Sequence, residues 1–316
     1  MTKSMTAILL VALSPVLACA RAVAPPAQGQ AAPPQAAIAA PAAAVVTSAV
    51  ENMFRHATDD SDVVSQAVLA TNVKLLDKER DAAGQDWYEI ETPDTYKGWV
   101  AASALRLLGP GDKPYASSGK VFVVSSLLAN VYREDSVTRH KPVTVAPISA
   151  VLEVVGEKSE RWLEINLPDN TRAWIQRGEG DIHEAPWTWP RRPAEDTVAL
   201  SKRFLGLTYT WGGTSPYGLD CSGFVQLVHK MSGVGLLRDA RLQFAQPELD
   251  VVPRGEERAG DLVYFGRAAD RITHVGMMID GENFIDSKPS GRPGVQIDRL
   301  KDDEWQRIYQ GARRAK

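Results

Sequence analysis

The chain has 316 residues, of which 44% are hydrophobic and 24% are charged, so it is long enough and apolar enough for two or three folded domains. Its 36 basic and 39 acidic residues give a net charge of −3 and form no long run of one sign. We therefore expect no nucleic-acid partner, because proteins that bind nucleic acid carry a concentrated positive surface.

The N-terminus predicts export. Lys3 precedes an apolar stretch from Met5 to Leu17, and small residues follow around Cys19, which is the order of a signal peptide over residues 1–20. The stretch is too short to cross a bilayer. Residues 16–19, Val-Leu-Ala-Cys, are similar to a lipobox, which would place cleavage before Cys19 and a lipid on it. Cleavage after Ala20 is the alternative. We expect a protein of the cell envelope or periplasm, tethered to the membrane if Cys19 is lipidated.

The chain contains two cysteines, Cys19 and Cys221. Since the first lies in the signal region, a processed chain has no disulfide framework. A single free thiol in an oxidising compartment is chemically exposed to oxidation, which favours a reactive role for Cys221.

Residues 21–45 are almost entirely Ala, Pro and Gln and predict a flexible linker. An internal repeat follows. Residues 87–94 (WYEIETPD) with 98–100 (GWV) align with residues 162–169 (WLEINLPD) and 173–175 (AWI) at an offset of about 75 residues. Short alternating strands broken by Pro-Asp and Gly turns predict two small antiparallel barrels, over residues 46–110 and 117–184.

A third domain is predicted over residues 194–316. Residues 194–205 have helical character, and residues 261–265, 274–279, 283–285 and 294–297 are typical of successive strands. Helices first and strands afterwards predict an α+β domain.

Cys221 is the candidate nucleophile of this domain. The apolar spacing after it predicts an amphipathic helix capped by Asp220, and the positive end of a helix stabilises a thiolate. A cysteine that begins a helix is also often a small buried hydrophobic residue, and this structural alternative stays open from the pattern alone.

His274 and Asp286 are candidates for the base and for the group that orients it. His274 begins an apolar strand, where its ring can face the helix tip, and Asp286 ends the next strand. Asp286 is equally consistent with an ordinary turn aspartate. The other four histidines, including His229, are expected at the solvated surface.

The motifs Y-x-W-G-G at 209–213, D-C-S-G-F-V-Q at 220–226, R-D-A at 238–240, A-G-D-L-V-Y-F-G at 259–266 and T-H-V-G-M-M-I at 273–279 resemble those of the NlpC-type cell-wall cysteine peptidases. With the two upstream domains, which resemble bacterial SH3-like domains, the chain looks like the γ-D-glutamyl-L-diamino acid endopeptidases, including those called dipeptidyl-peptidase VI. The resemblance implies a papain-like fold, with Cys221 as nucleophile and His274 as base. The third position is commonly histidine in this family, whereas this chain has Asp286.

The resemblance also implies the substrate and its contacts. The bond would join D-glutamate, through its side-chain carboxyl, to meso-diaminopimelate or lysine in murein stem peptides that carry a free N-terminal L-Ala. Tyr209 matches a tyrosine that helps to bind the oxyanion in the family, and Asp220 and Ser222 match residues that bind substrate beside the nucleophile. Asp239 is a further candidate. Glu51 and Tyr96 are the nearest candidates for the acidic residue and tyrosine that receive the free amine in relatives with SH3-like domains. Murein-derived peptides are the expected partners, and no metal or organic cofactor is expected. The alternatives are a silent wall-binding module, or amidase or acyltransferase chemistry on the same fold.

Overall fold

The computed structural model describes residues 42–316. The predicted signal peptide, Cys19 and most of the predicted linker lie outside these residues. Within them, no helix is both long and apolar enough to cross a membrane.

The first domain is one antiparallel sheet of seven strands. Its strands are β1 Ala43–Val46, β2 Val50–Phe54, β3 Val63–Val68, β4 Asn72–Arg80, β5 Asp86–Glu91, β6 Lys97–Ala101 and β7 Leu105–Leu108. They are arranged in the order β3-β2-β6-β5-β4-β1-β7. Met53, Ile90 and Val100 are fully buried in its core, because alternate residues of each strand point inward.

Strand β1 begins earlier than the sequence indicates. Residues 43–45, assigned to the linker by their alanine content, pair with β4 on one side and β7 on the other. Ala44 and Val46 are fully buried. Composition alone misplaces this boundary because two neighbouring strands hold a segment whose own strand preference is weak.

The second domain repeats the first. Its strands are β8 Lys120–Val124, β9 Leu128–Tyr132, β10 Thr144–Pro147, β11 Val151–Glu157, β12 Trp162–Asn166, β13 Arg172–Gln176 and β14 Gly180–Glu184. Their order, β10-β9-β13-β12-β11-β8-β14, is that of the first sheet with every number raised by seven. Trp87 and Trp162 occupy equivalent buried positions. The predicted internal repeat is confirmed.

The third domain has three helices followed by a six-stranded sheet, and helix α2 packs against that sheet. Its elements are α1 Ala194–Lys202, β15 Thr214–Ser215, β16 Gly218–Leu219, α2 Cys221–Lys230, α3 Ala240–Phe244, β17 Leu249–Val252, β18 Leu262–Gly266, β19 Ile272–Met278, β20 Asn283–Lys288, β21 Gly294–Arg299, α4 Asp303–Gln306 and β22 Tyr309–Ala315. The six-stranded sheet has the order β17-β22-β18-β19-β20-β21. Helix α2 packs against β19 and β20, so its first residue lies beside those strands.

The first and third domains are joined by hydrogen bonds. The indole N–H of Trp211 donates to the Val63 carbonyl at 3.0 Å, and the Thr214 N–H donates to the Gln66 side chain at 3.1 Å. Both acceptors lie on strand β3. One edge of the first sheet is therefore fixed next to the start of helix α2.

Candidate active site

Cys221 is the first residue of helix α2, and its surroundings hold that helix start firmly. A carboxylate oxygen of Asp220 accepts the Gly223 N–H at 2.7 Å, which confirms the predicted cap. Phe224 and Val228 are fully buried along the inner face of the helix. Cys221 itself is 9% exposed, so the residue is almost entirely buried at the start of the helix.

The Asp220 carboxylate is also held by a buried arginine. Arg238 donates from its two terminal nitrogens to the two Asp220 oxygens at 2.6 and 3.1 Å, and the Arg238 side chain is 1% exposed. Burial alone lowers the pKa of Arg238, but the charge and hydrogen bond of Asp220, together with the charges of Asp239 and Cys221, outweigh burial and raise it. Two parallel charge-assisted bonds fix the cap, and with it the first turn that carries Cys221.

A residue of the first domain completes this network. The Nε of Arg238 donates to the Ser65 hydroxyl, on strand β3, at 2.9 Å. Neither Ser65 nor a role for Arg238 is apparent from the sequence, because the contact joins residues 173 positions apart. A buried arginine needs several hydrogen-bond acceptors, and this requirement is the only indication that Arg238 would have further partners such as Ser65.

His274 and Asp286 lie side by side on strands β19 and β20. The Nε2–H of His274 donates to Asp286 at 2.6 Å, and Asp286 is fully buried. This leaves Nδ1 of His274 free for Cys221. The structure thus brings together the two residues that sequence analysis assigned as base and orienting group.

The charges around His274 favour its protonated form. Burial alone lowers the pKa of His274, but the negative charge of Cys221, hydrogen bonds with Asp286 and Cys221, and the charge of Asp286 outweigh burial and raise it to about 10. Burial also raises the pKa of the Asp286 carboxyl, against the opposing hydrogen bond from His274. The site therefore favours a protonated imidazole at His274, next to Cys221.

Aromatic rings enclose His274. The Trp305 ring stacks on the imidazole at a centroid distance of 5.3 Å and an interplanar angle of 22°. Phe265 lies at 5.9 Å with a tilt of 36°. The position of Trp305 beside His274 is not apparent from the sequence, because Trp305 lies on α4, a helix of only four residues, which is too short to show a periodic pattern.

The residues predicted to contact substrate fall into two groups around Cys221. Tyr209 lies in the first group, beside the thiol. Its pKa is raised, mainly by burial and further by the charges of Cys221 and Asp220, so its hydroxyl keeps its proton and stays a donor. The Ser222 hydroxyl donates to Asp220 at 3.2 Å and accepts from Arg238 at 3.0 Å. Ser222 is therefore already engaged in the network that holds the cap.

The second group lies where the first domain meets the third. The Tyr96 hydroxyl donates to the Asp239 carboxylate at 3.2 Å, and burial, followed by the Asp239 charge, raises the pKa of Tyr96 to about 12. Glu51 lies on strand β2, and burial raises the pKa of its carboxyl against a hydrogen bond from Ser48. Within residues 42–316, Tyr96 and Asp239 are brought together, whereas no hydrogen bond joins Glu51 to either of them.

His229 corrects one expectation. It is 2% exposed, and its Nδ1 lies 2.8 Å from the Val225 carbonyl one helical turn away. Burial lowers the pKa of His229 to about 4. The sequence prediction of a solvated residue was wrong because packing around helix α2 buries the ring, whose Nδ1 finds a partner within the same helix. In the part of the chain that the structure describes, no cluster of three or more His, Cys, Asp or Glu residues could hold a metal ion.

Comparison with known families agrees with this geometry. Residues 206–314 match the model of the NlpC/P60 family, and residues 48–106 match that of the bacterial SH3 domain. The C-terminal domain is an NlpC/P60 domain. The protein is thus a cysteine peptidase, and the predicted fold class is confirmed: SH3-like β-domains precede a papain-like α+β domain.

Similar proteins extend the comparison beyond the NlpC/P60 domain. A gamma-D-glutamyl-L-lysine dipeptidyl-peptidase of Bacillus cereus is 27% identical over 263 residues, which cover 81% of this chain and 76% of the relative. Murein DD-endopeptidase MepH of Escherichia coli is 39% identical over 123 residues, or 37% of this chain and 45% of the relative. The crystal structure of an NlpC/P60 family protein from Bacillus cereus has a TM-score of 0.72 at 22% identity, covering 86% of this chain and 99% of the other, and so shares the fold.

Proposed function

We propose that the NlpC/P60 domain hydrolyses the bond between the side-chain carboxyl of D-glutamate and meso-diaminopimelate or L-lysine in murein stem peptides with a free N-terminal L-Ala. The observation that carries this proposal is the thiol of Cys221 at a capped helix start, next to the 2.6 Å pair of His274 and Asp286. The Bacillus cereus dipeptidyl-peptidase, similar over most of both chains, supports the choice of bond.

The reaction proceeds by acyl transfer. The Cys221 thiolate attacks the amide carbonyl carbon, and the carbonyl π electrons move to oxygen. The Tyr209 hydroxyl and the Cys221 backbone N–H, which has no partner within the first helical turn, donate to this oxyanion. The tetrahedral intermediate collapses, His274 gives its Nδ1 proton to the leaving amine, and a thioester remains.

Water completes the cycle. His274, now neutral, takes a proton from a water molecule that attacks the thioester carbonyl. The carbon–sulfur bond breaks, the acid product leaves, and the thiolate–imidazolium pair is restored. Asp286 keeps Nε2 protonated throughout and so fixes the tautomer that presents Nδ1 to sulfur. Proton transfers balance over the two half-reactions without a cofactor.

Recognition of a free amine is supported by the pair of Tyr96 and Asp239. Tyr96 fixes the Asp239 carboxylate where the first domain meets the NlpC/P60 domain, and such a carboxylate suits an ammonium group. Glu51, on the neighbouring strand β2, is proposed as a second acidic contact. In intact murein the L-Ala nitrogen is part of an amide bond, so the proposed site selects released peptides.

The test uses purified chain with the tripeptide L-Ala-γ-D-Glu-meso-diaminopimelate, the lysine tripeptide, their N-acetylated forms and intact murein, with products identified by mass spectrometry. We expect release of L-Ala-γ-D-Glu from the free tripeptides and little from the other substrates. Cys221→Ala is expected to abolish release. If the unmodified chain releases no dipeptide, the proposal fails and the silent wall-binding alternative gains support.

The same assay separates other chemistry on this fold. Cleavage of a cross-linked murein dimer at its D,D bond would match the name of the Escherichia coli relative, which is similar over the NlpC/P60 domain alone. Release of ammonia, or transfer of the acyl group to an added amine, would indicate amidase or acyltransferase activity.

The proposed substrate implies action outside the cytoplasm. Anchoring through Cys19 remains a prediction from the sequence, and metabolic labelling with a palmitate analogue tests it. Cys19→Ser is expected to abolish labelling and release the protein from the membrane fraction, whereas unchanged labelling would contradict lipidation at this position.

A further inference from the structure

We propose that Trp305 is a positioning residue of this active site: its indole face holds the His274 ring in the plane that faces Cys221 and Asp286, and favours the protonated imidazole. The proposal rests on the roles proposed above for Cys221 and His274. Trp305 lies on α4, the short helix between strands β21 and β22, and is 7% exposed.

The geometry restricts rotation of the histidine ring. The torsion between Cβ and the ring of a histidine is intrinsically broad, so one hydrogen bond leaves the ring free to tilt. Trp305 lies nearly parallel to the imidazole at 5.3 Å and 22°, and Phe265 contacts it from strand β18 at 5.9 Å. With Nε2 bound to Asp286 at 2.6 Å, the stacked indole leaves one plane available, and that plane directs Nδ1 to Cys221.

The indole face also affects charge. A cation is attracted to the negative face of an aromatic ring, and tryptophan has the strongest such face among side chains. His274 faces the Cys221 thiol from helix α2 and the Asp286 carboxylate from β20. Behind Asp286, Lys288 pairs with Asp298 of strand β21. Trp305 therefore adds an uncharged aromatic face that favours the imidazolium.

The contact between Lys288 and the Trp305 ring does not by itself explain why a tryptophan occupies this position. Its Nζ lies 5.0 Å from the centre of the Trp305 ring, but its charge is already matched by Asp298.

The indole N–H of Trp305 makes no hydrogen bond with the described residues, which directs attention to the ring face. This N–H is also buried. An unsatisfied buried donor costs stability that phenylalanine at the same position would not incur. The contact of Trp305 with His274 is therefore made by the ring face.

The experiment compares Trp305→Met, which removes the aromatic face, with Trp305→Phe, which keeps one. Phe244→Leu is the matched control, because Phe244 packs on Tyr264 at 5.2 Å in the same domain and is not among the rings that contact His274. The readouts are kcat and KM on the free tripeptide, and the pH titration of His274 by 15N-histidine NMR of the full chain, assigned with His274→Gln.

For Trp305→Met we expect kcat to fall about 10- to 100-fold with KM within about twofold, because misorientation of a reacting group acts on the chemical step. His274 should lose its proton at a pH lower by roughly 0.5 to 1 than in the unmodified chain. Trp305→Phe and Phe244→Leu should keep kcat within about threefold and leave the titration nearly unchanged.

Two results would overturn the proposal. One is a Trp305→Met variant with unchanged kcat and titration. The other is a Trp305→Phe variant that loses as much as Trp305→Met, which would mean that volume rather than an aromatic face matters. If the unmodified chain hydrolyses no tripeptide, the proposed function fails, but the NMR titration still tests Trp305.

Discussion

The Tyr96 hydroxyl and the Asp239 carboxylate lie 3.2 Å apart, although 143 residues separate them in the chain. Tyr96 belongs to the turn before strand β6 of the first SH3-like domain, and Asp239 precedes helix α3 of the NlpC/P60 domain. The carboxylate proposed to bind the substrate amine is thus oriented by a side chain from another domain.

Tyr96→Phe is expected to raise KM for the free tripeptide roughly tenfold, since a hydrogen bond to a charged group is lost. Hydrolysis of the N-acetylated tripeptide, already poor, should not change. Steady-state kinetics on both substrates measure this. Tyr217→Phe is the control, because Tyr217 is 46% exposed and its change should leave KM unaltered. Equal effects of Tyr96→Phe on both substrates would contradict amine recognition.

Removal of the Asp220 side chain tests the buried ion pair. Asp220→Ala leaves the Arg238 guanidinium, 1% exposed, without its counter-charge and should lower the free energy of unfolding by about 3–5 kcal/mol. Urea denaturation gives the value. The matched control is Asp250→Ala, whose ion pair with Lys316 is exposed and should contribute about 0–1 kcal/mol. Similar losses of unfolding free energy for the two variants would show that the buried ion pair stabilises the fold no more than the exposed one.

Asp286→Asn tests the orienting carboxylate. The variant removes a negative charge and a hydrogen-bond acceptor from His274, so kcat/KM should fall on the order of 100-fold. In the unmodified chain we expect activity to decline as pH rises towards 10, where His274, with its pKa raised to about 10, loses the proton that the leaving amine needs. In Asp286→Asn this decline should move to lower pH. A decline at the same pH in both would show that another group controls it.

The raised pKa of His274 also predicts how stability depends on pH. The folded value of about 10 lies above an unfolded value of about 6.5, so the folded state binds the proton more tightly. The stabilisation is complete below about pH 6.5 and is lost as pH rises through 10. Chemical denaturation at several pH values should show this loss in the unmodified chain and a much smaller one in His274→Gln.

Gly223 tests the tight packing under the nucleophile. A Cβ at this helical position would come within 2.1 Å of the Gly213 carbonyl oxygen and 3.1 Å of an Asp220 oxygen. Gly223→Ala should therefore displace the first turn of α2 and reduce kcat by about 100-fold. Gly235→Ala, where a Cβ would meet open space, is the control and should keep full activity. Full activity of Gly223→Ala would contradict the need for this close approach.

Local sequence patterns predicted the secondary-structure elements but not the contacts between domains. The apolar spacing after Cys221 and the acidic cap before it predicted helix α2, because both depend on residues within one or two turns. The pairs of Arg238 with Ser65 and of Tyr96 with Asp239 could not be read from the sequence, since they depend on how two folded domains meet. His229 was misjudged because its burial depends on packing around the whole helix.

The bond from Arg238 to Ser65 gives the first SH3-like domain a structural part in the chemistry of its neighbour. Removing that domain would remove Ser65, an acceptor of the Arg238 guanidinium, and Tyr96, which donates to the Asp239 carboxylate and orients it. If the proposed roles of Cys221 and Asp239 hold, an isolated peptidase domain would hydrolyse the free tripeptide more slowly and discriminate less between a free and an acylated N-terminus.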